Sequence, residues 1–302
     1  MSKKTNVLVL IVLLMSTANI FADTFLSAEP ILVGVLDEKQ CAKDVNTRAL
    51  IMYAKTKDGW IGMDSPDSPD IQVAWDREWT VGFDGKLLGT LRLTNSSPTY
   101  PRRPDGYSAG EVLLAPAGQY PIVRNTSKSF GGWCGEPKSR PLVIVSEPNV
   151  KDPADWKPFK VGSEYKEMLF DSLNRELQKS KVVNCTNPEQ EKATPYVFGI
   201  EELKIFKGYR SKDGGVLISM GLNSDNYHCD GPLGPEWSSQ WFYIRNSRVE
   251  FIGDSLMLLD VGDYDKDGKS EVLFWSSGYN EDGYVLYYDD FRKKVPFKWH
   301  YH

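Results

Sequence analysis

Short runs of Val, Ile, Leu and aromatic residues recur from residue 31 to the C-terminus, each closed by Gly, Asp, Asn or Pro, and this punctuation most narrows the fold. Runs of that length and composition suit strands, because β-branched and aromatic side chains pack well on a pleated surface. The candidates are ILVGVLD from Ile31, RALIMYAK from Arg48, EWTVGFDGKLLGTLRL from Glu78, RPLVIVS from Arg140 and GGVLISMGL from Gly214. QWFYIR from Gln240, RVEFIG from Arg248, EVLFWSSG from Glu271 and YVLYYDDF from Tyr284 follow. Asp84-Gly85, Asp213-Gly214 and Asp282-Gly283 are expected to turn hairpins, since both residue types tolerate positive φ. Sequential hairpins in such number predict a mainly β fold: a β-propeller-like assembly of antiparallel hairpins, or alternatively a β-sandwich.

One segment departs from this pattern. Over residues 163–180, Tyr165, Met168, Leu169, Leu173 and Leu177 recur at helical spacing, which predicts one amphipathic helix packed on the sheets. Ser163 is placed to cap it and Glu164 falls in the first turn. The flanking stretches SEPNVKDPADWKPFKVG and NCTNPEQEKATP are rich in Pro and charge and read as loops or a link. The chain is therefore expected to form a single mainly β domain over residues 23–302, with a subdivision near 150–195 as the alternative to an inserted helix.

The N-terminus opens MSKKTNVLVLIVLLMSTANIFADT: two lysines, an apolar run from Val7 to Met15, then small and polar residues to Ala22. That order predicts a cleavable signal peptide over residues 1–22 and hence a secreted or periplasmic protein. The apolar run is about half the roughly 20 residues that a bilayer-spanning helix needs, and no membrane span is expected after cleavage. Loss of Lys3 and Lys4 leaves 34 basic against 41 acidic residues, a net charge of −7, with no basic cluster. That balance argues against nucleic acid and against anionic membranes as partners. Four cysteines, Cys41, Cys134, Cys185 and Cys229, are an even number in an exported chain and predict two disulfide bonds. Cys185 with Cys229 is the pairing closest in sequence, although spacing does not decide among the three connectivities.

Asp263, Asp265, Asp267 and Glu271 crowd four negative charges into nine positions beside an apolar run. At about 4 Å and an effective dielectric near 20, each like-charged pair costs on the order of 4 kcal/mol, so a cation is expected among them. Calcium takes six to eight oxygens, from carboxylates, backbone carbonyls and water. Alternation turns the three aspartates inward from positions 1, 3 and 5, with Tyr264 and Lys266 pointing out. Gly268 permits the sharp turn, the Lys269 carbonyl contributes from position 7, and Glu271 closes the set from position 9. Position 12 is Phe274, which excludes a helix-loop-helix EF-hand. One Ca²⁺ site is predicted, held by Asp263, Asp265, Asp267, Lys269 and Glu271.

A DxDxDGxxE loop opening onto a strand resembles the FG-GAP or VCBS repeat, the calcium-binding blade unit of integrin-type β-propellers. The resemblance continues through EVLFW, SSG, YNEDG and YVLYYDDF, with DSLMLLDVGD before the loop, and covers about residues 253–291. It implies a propeller whose loops are braced by calcium. No second DxDxDG loop occurs in the chain, so the resemblance carries one blade only.

Other clusters read more simply. Residues 223–236 concentrate Asn223, Asp225, Asn226, His228, Asp230 and Glu236 in a loop that could hold an acid and base pair or a sugar, but also reads as a long turn rigidified by Pro232 and Pro235. His300 and His302 alternate on what is expected to be a closing strand, and Asp64, Asp67 and Asp70 fall among prolines without the glycine a calcium loop needs. SFGGWCGEP from Ser129 reads as a disulfide-anchored turn, and Asn95, Asn125 and Asn184 begin glycosylation patterns. No serine-hydrolase elbow, phosphate-cradling loop or zinc-protease helix is present, and no catalytic residue is assigned. The expected function is an exported binding or scaffold protein with an undefined protein or glycan ligand. The alternatives are a carbohydrate-active enzyme or an adhesion module using residues 223–236.

Overall fold

The computed structural model describes residues 29–37, 48–64, 77–93, 112–113, 140–148, 151–184, 194–223, 239–278 and 280–300. The expected signal peptide, all four cysteines, residues 224–238, His302, Asp67, Asp70 and residues 129–137 lie outside them. The first sheet is built from β1 (Ile31–Asp37), β2 (Arg48–Thr56), β3 (Gly59–Gly62), β4 (Glu78–Phe83), β5 (Lys86–Arg92), β6 (Val112–Leu113) and β7 (Leu142–Val145). Its order is β3-β2-β1-β7-β4-β5, with β6 on β2, and its pairings are antiparallel.

The second sheet combines β8 (Lys157–Pro158) with later strands, after the helix α1 (Glu164–Lys179) and the short pair β9 (Val183–Asn184) and β10 (Thr194–Pro195). Those strands are β11 (Leu203–Arg210), β12 (Val216–Leu222), β13 (Gln240–Arg245) and β14 (Arg248–Asp254), in the order β14-β13-β12-β11-β8. The third sheet is an uninterrupted meander of β15 (Leu256–Gly262), β16 (Glu271–Gly278), β17 (Glu281–Tyr288) and β18 (Lys293–His300). The protein is thus mainly β, with three antiparallel sheets, none closed, and one α-helix among the described residues.

The third sheet is the middle layer. One of its faces, with Leu259, Leu273, Trp275, Tyr284, Leu286 and Phe297, shares a core with Val33, Val35, Leu50, Met52, Tyr53, Val143 and Val145 of the first sheet. Its other face, with Leu256, Val261, Val272, Phe274, Val285 and Tyr287, shares a core with Leu217, Trp241, Tyr243 and Ile252 of the second. Burial on both faces explains why β16 reads Glu-Val-Leu-Phe-Trp without polar alternation: its first six residues are all buried. The first sheet buries its opposite face around Trp79, Val81, Ile51 and Ile144. The second buries its own against α1 through Leu169, Leu173 and Leu177, beside Ile218, Met220 and Phe242.

The helix falls where periodicity puts it, with Glu164 and Glu167 in the first turn favouring the positive end of its dipole. Its cap differs from expectation: Ser163 has helical φ and ψ and makes no side-chain capping bond, because capping needs the extended backbone that this serine lacks. Asp84-Gly85 forms the expected two-residue hairpin turn, with φ of 51° and 65° between paired Phe83 and Lys86. Gly85 cannot be replaced without displacement, since a Cβ there would meet the Asp152 Cβ at 2.6 Å. Asp213-Gly214 also lies in a hairpin connection, between Arg210 and Val216. Asp282-Gly283 does not turn. Both residues lie inside β17, and the chain reverses three residues earlier, between paired Gly278 and Glu281. Gly283 is needed there for close packing, because a Cβ would lie 2.2 Å from the Phe297 carbonyl oxygen of β18. β18 is an edge strand, which accommodates Pro296.

Candidate functional site

The acidic loop connects β15 to β16. It is shaped by its own aspartates: Asp263 Oδ2 accepts from Gly268 N–H at 3.0 Å, Asp265 Oδ1 from Asp267 N–H at 3.2 Å, and Asp267 Oδ1 from Lys269 N–H at 2.8 Å. Lys266 and Gly268 take left-handed φ of 61° and 83°, which coils the chain around the carboxylates. One ligand-capable oxygen from each of Asp263, Asp265 and Asp267 lies within 4.8 Å of the others.

Glu271 is the first residue of β16 and 2% exposed. Its Oε2 accepts from Tyr264 N–H at 2.8 Å, which fixes it under the start of the loop. Burial, then the charge of Asp265, and after it those of Asp267 and Asp263, push the Glu271 carboxyl up to about 9. Burial also raises Asp263, reinforced by Asp265 and Asp267. The structure therefore brings the three aspartates into one cluster; Glu271 is not part of that group, and is tied to the loop by its bond from Tyr264 N–H and by the charges of the three aspartates. Lys269 belongs to the same turn, but its ammonium leaves it to reach Asp289 Oδ1 at 3.0 Å. Lys266 likewise points outward, to Glu147.

Tyr264 turns away from the aspartate carboxylates, as alternation requires, but it enters the core rather than solvent. It is fully buried, and its hydroxyl donates to Asp260 Oδ2 at 3.0 Å. Asp260 Oδ1 accepts from Gly85 N–H at 3.1 Å, which ties β15 to the β4–β5 turn. Burial raises the Asp260 carboxyl to about 6.

Three contributors escape sequence reading because they lie far away in the chain. Lys55 of β2 forms an ion pair with Asp265, whose side chain is 3% exposed, and its ammonium lies over the rings of Trp60 and Tyr288. Lys151 accepts through its carbonyl from Asp263 N–H at 2.7 Å. Asp152 accepts from Ser270 Oγ at 2.7 Å and from the amides of Ala154 and Trp156. The loop is thereby pinned at both ends to residues 151–156 and from above to the first sheet.

The donor set fits a hard divalent cation. Asp263 Oδ1 is buried without a hydrogen-bond partner, a costly state for a carboxylate oxygen unless a ligand meets it. Four carboxylates here have only the Lys55 ammonium in direct ion pairing among the described residues. An oxygen-only donor set suits a hard cation better than zinc or copper, which favour nitrogen and sulfur.

The other sequence candidates are placed as follows. Asp64 Oδ2 accepts from Lys298 N–H at 2.9 Å and so fastens β18 instead of joining a metal site. His300 ends β18 and faces Glu281 at 3.6 Å. Asn223 follows β12, and the rest of its loop lies outside the described residues. No helix among the described residues is long and apolar enough to cross a membrane. The chain matches no protein-family model, no characterised protein and no solved structure. The resemblance of residues 253–291 to an FG-GAP or VCBS blade thus rests on the loop spacing and the order of strands alone.

Proposed function

We propose that this chain is an exported binding or scaffold protein in which one calcium ion, held by Asp263, Asp265, Asp267, Glu271 and the Lys269 carbonyl, braces stacked β-sheets. The observation that carries this reading is the partnerless, buried Asp263 Oδ1 within the cluster of Asp263, Asp265 and Asp267. The ion would sit where the first sheet, the third sheet and residues 151–156 meet, so its binding energy would hold all three together. A blade-like arrangement, as in a propeller, is supported by the four-stranded meander β15-β16-β17-β18 packed face to face between two other sheets. The signal-like N-terminus supports export, into compartments where millimolar calcium would keep a weak site filled.

Thermal unfolding with calcium and with chelator tests the reading. A cation bound only by the native state raises the midpoint as its concentration rises. Asp265→Ala should remove that increment, and a midpoint indifferent to calcium would reject the site.

A further inference from the structure

All three sheets converge on a cleft of about 480 Å³, within the range of small-molecule sites. It lies between the β4–β5 turn, β11, β12, β15 and residues 152–158, and none of Asp263, Asp265, Asp267 and Glu271 lines it. Two aromatic rings line it. Tyr209 is stacked on the buried Trp241, with centroids 6.4 Å and planes 15° apart. Trp156 is held by Asp152 through its backbone amide at 2.7 Å and by edge contact with Phe291. Opposite them Arg140 is fixed: its Nε donates to the Leu259 carbonyl at 2.8 Å, its Nη2 reaches Asp84, and its guanidinium lies 4.2 Å from the Phe83 ring centroid. The Asp84 side chain remains 59% exposed.

The charge pattern decides the class of ligand. Four carboxylates and three cationic side chains line the cleft together. A free anion would meet the aspartates and a free cation would meet Arg140 and the lysines. An apolar ligand would strip water from both signs without replacing their hydrogen bonds. A neutral, hydroxyl-rich ring satisfies donors and acceptors alike and can lay its apolar face on Trp156 or Tyr209. We propose that this cleft is a binding site for a neutral sugar, with Trp156 and Tyr209 as stacking walls and the Arg140–Asp84 pair reading its hydroxyls. Asp260 at its base has both oxygens committed to Gly85 and Tyr264 and acts only to hold the wall in place. This ligand class rests on reading the chain as a binding module; it does not depend on the cation.

The test is ligand-observed saturation-transfer NMR of the full chain with maltose, cellobiose and chitobiose, with glucuronate and glucosamine as charged controls. At least one neutral disaccharide should bind with a Kd of about 1 mM, as expected for a ligand of that size. Asp84→Ala and Trp156→Ala should each weaken it about tenfold, the effect of one lost hydrogen bond or stacking contact. Asp84 is exposed, so its variant should stay folded and melt only a few degrees below the parent, the cost of an alanine at φ of 51° and of the lost Arg140 pair, and it keeps the test valid if the tryptophan variant fails to fold. Absence of binding by all three disaccharides, equal or tighter binding of a charged control, or binding unchanged in Asp84→Ala would overturn the proposal. Calcium-dependent melting measured on the same samples separates the two readings: sugar binding lost with the calcium increment intact removes only this site, and the reverse removes only the cation.

Discussion

Replacing Glu271 by Gln should stabilise the protein in chelator and weaken its response to calcium. The Glu271 carboxyl is 2% exposed and is pushed from 4.5 to about 9, first by burial and then by Asp265. A folded-state value above the unfolded one means that the native protein holds this proton more tightly. Stability from this group is therefore full below pH 4.5 and declines as pH rises towards 9. At pH 7 about 2.5 units of that interval have been crossed, a penalty of about 3 kcal/mol in the cation-free protein. The amide carries no charge and removes it. Calcium adds the opposite contribution: for a Kd of about 10⁻⁴ to 10⁻³ M, about 10 mM calcium stabilises the native state by about 1.4 to 2.7 kcal/mol. Urea unfolding followed by tryptophan fluorescence at pH 7 reads both. The Glu271→Gln variant should exceed the parent by about 3 kcal/mol in chelator and gain less than half of the parent's calcium increment. A variant less stable than the parent in chelator, or one with the full increment, would refute the assignment of Glu271 as a buried carboxylate serving a cation.

Three further outcomes follow from the same contacts. Asp260 is fully buried with its carboxyl raised to about 6, so its contribution to stability is lost as pH rises from about 4 to 6; Asp260→Asn should flatten that part of the profile, worth about 3 kcal/mol, in urea titrations across the window. Lys55→Met leaves the Asp265 carboxylate without its ammonium and should cost about 2 to 4 kcal/mol in chelator, with calcium restoring a larger share than in the parent. Gly85→Ala should cost about 1 to 3 kcal/mol in thermal unfolding, since φ of 65° and a Cβ at 2.6 Å from Asp152 both oppose a side chain there.

Local chemistry was readable in the sequence, and long-range partners were not. β1 begins and ends where ILVGVLD does, and β12 and β16 fall within the apolar runs GGVLISMGL and EVLFWSSG, whose lack of polar alternation the structure explains by burial on both faces. By contrast β11, LKIFKGYR, carries no strand signal, because exposed Lys204 and Lys207 and a bulge at Ile205/Lys207 break its alternation. β3 is four residues with a glycine at each end, too short to register. The Asp282-Gly283 pair misled because its glycine answers to a neighbouring backbone and not to a turn. At the acidic loop the spacing of Asp263, Asp265, Asp267 and Gly268 gave the coil of the chain and its inward carboxylates. The ion pair with Lys55 spans 210 positions, and nothing near Lys55 in the sequence marks it as a partner. The choice of a core position for Tyr264 depends on Asp260, which the loop pattern does not include.

Isothermal titration of calcium into the purified full chain bears most directly on the cation. One ion per chain with a Kd of about 10⁻⁴ to 10⁻³ M, and no such heat from Asp263→Ala or Asp265→Ala, is the predicted result. A flat titration of the folded parent with millimolar calcium would contradict it.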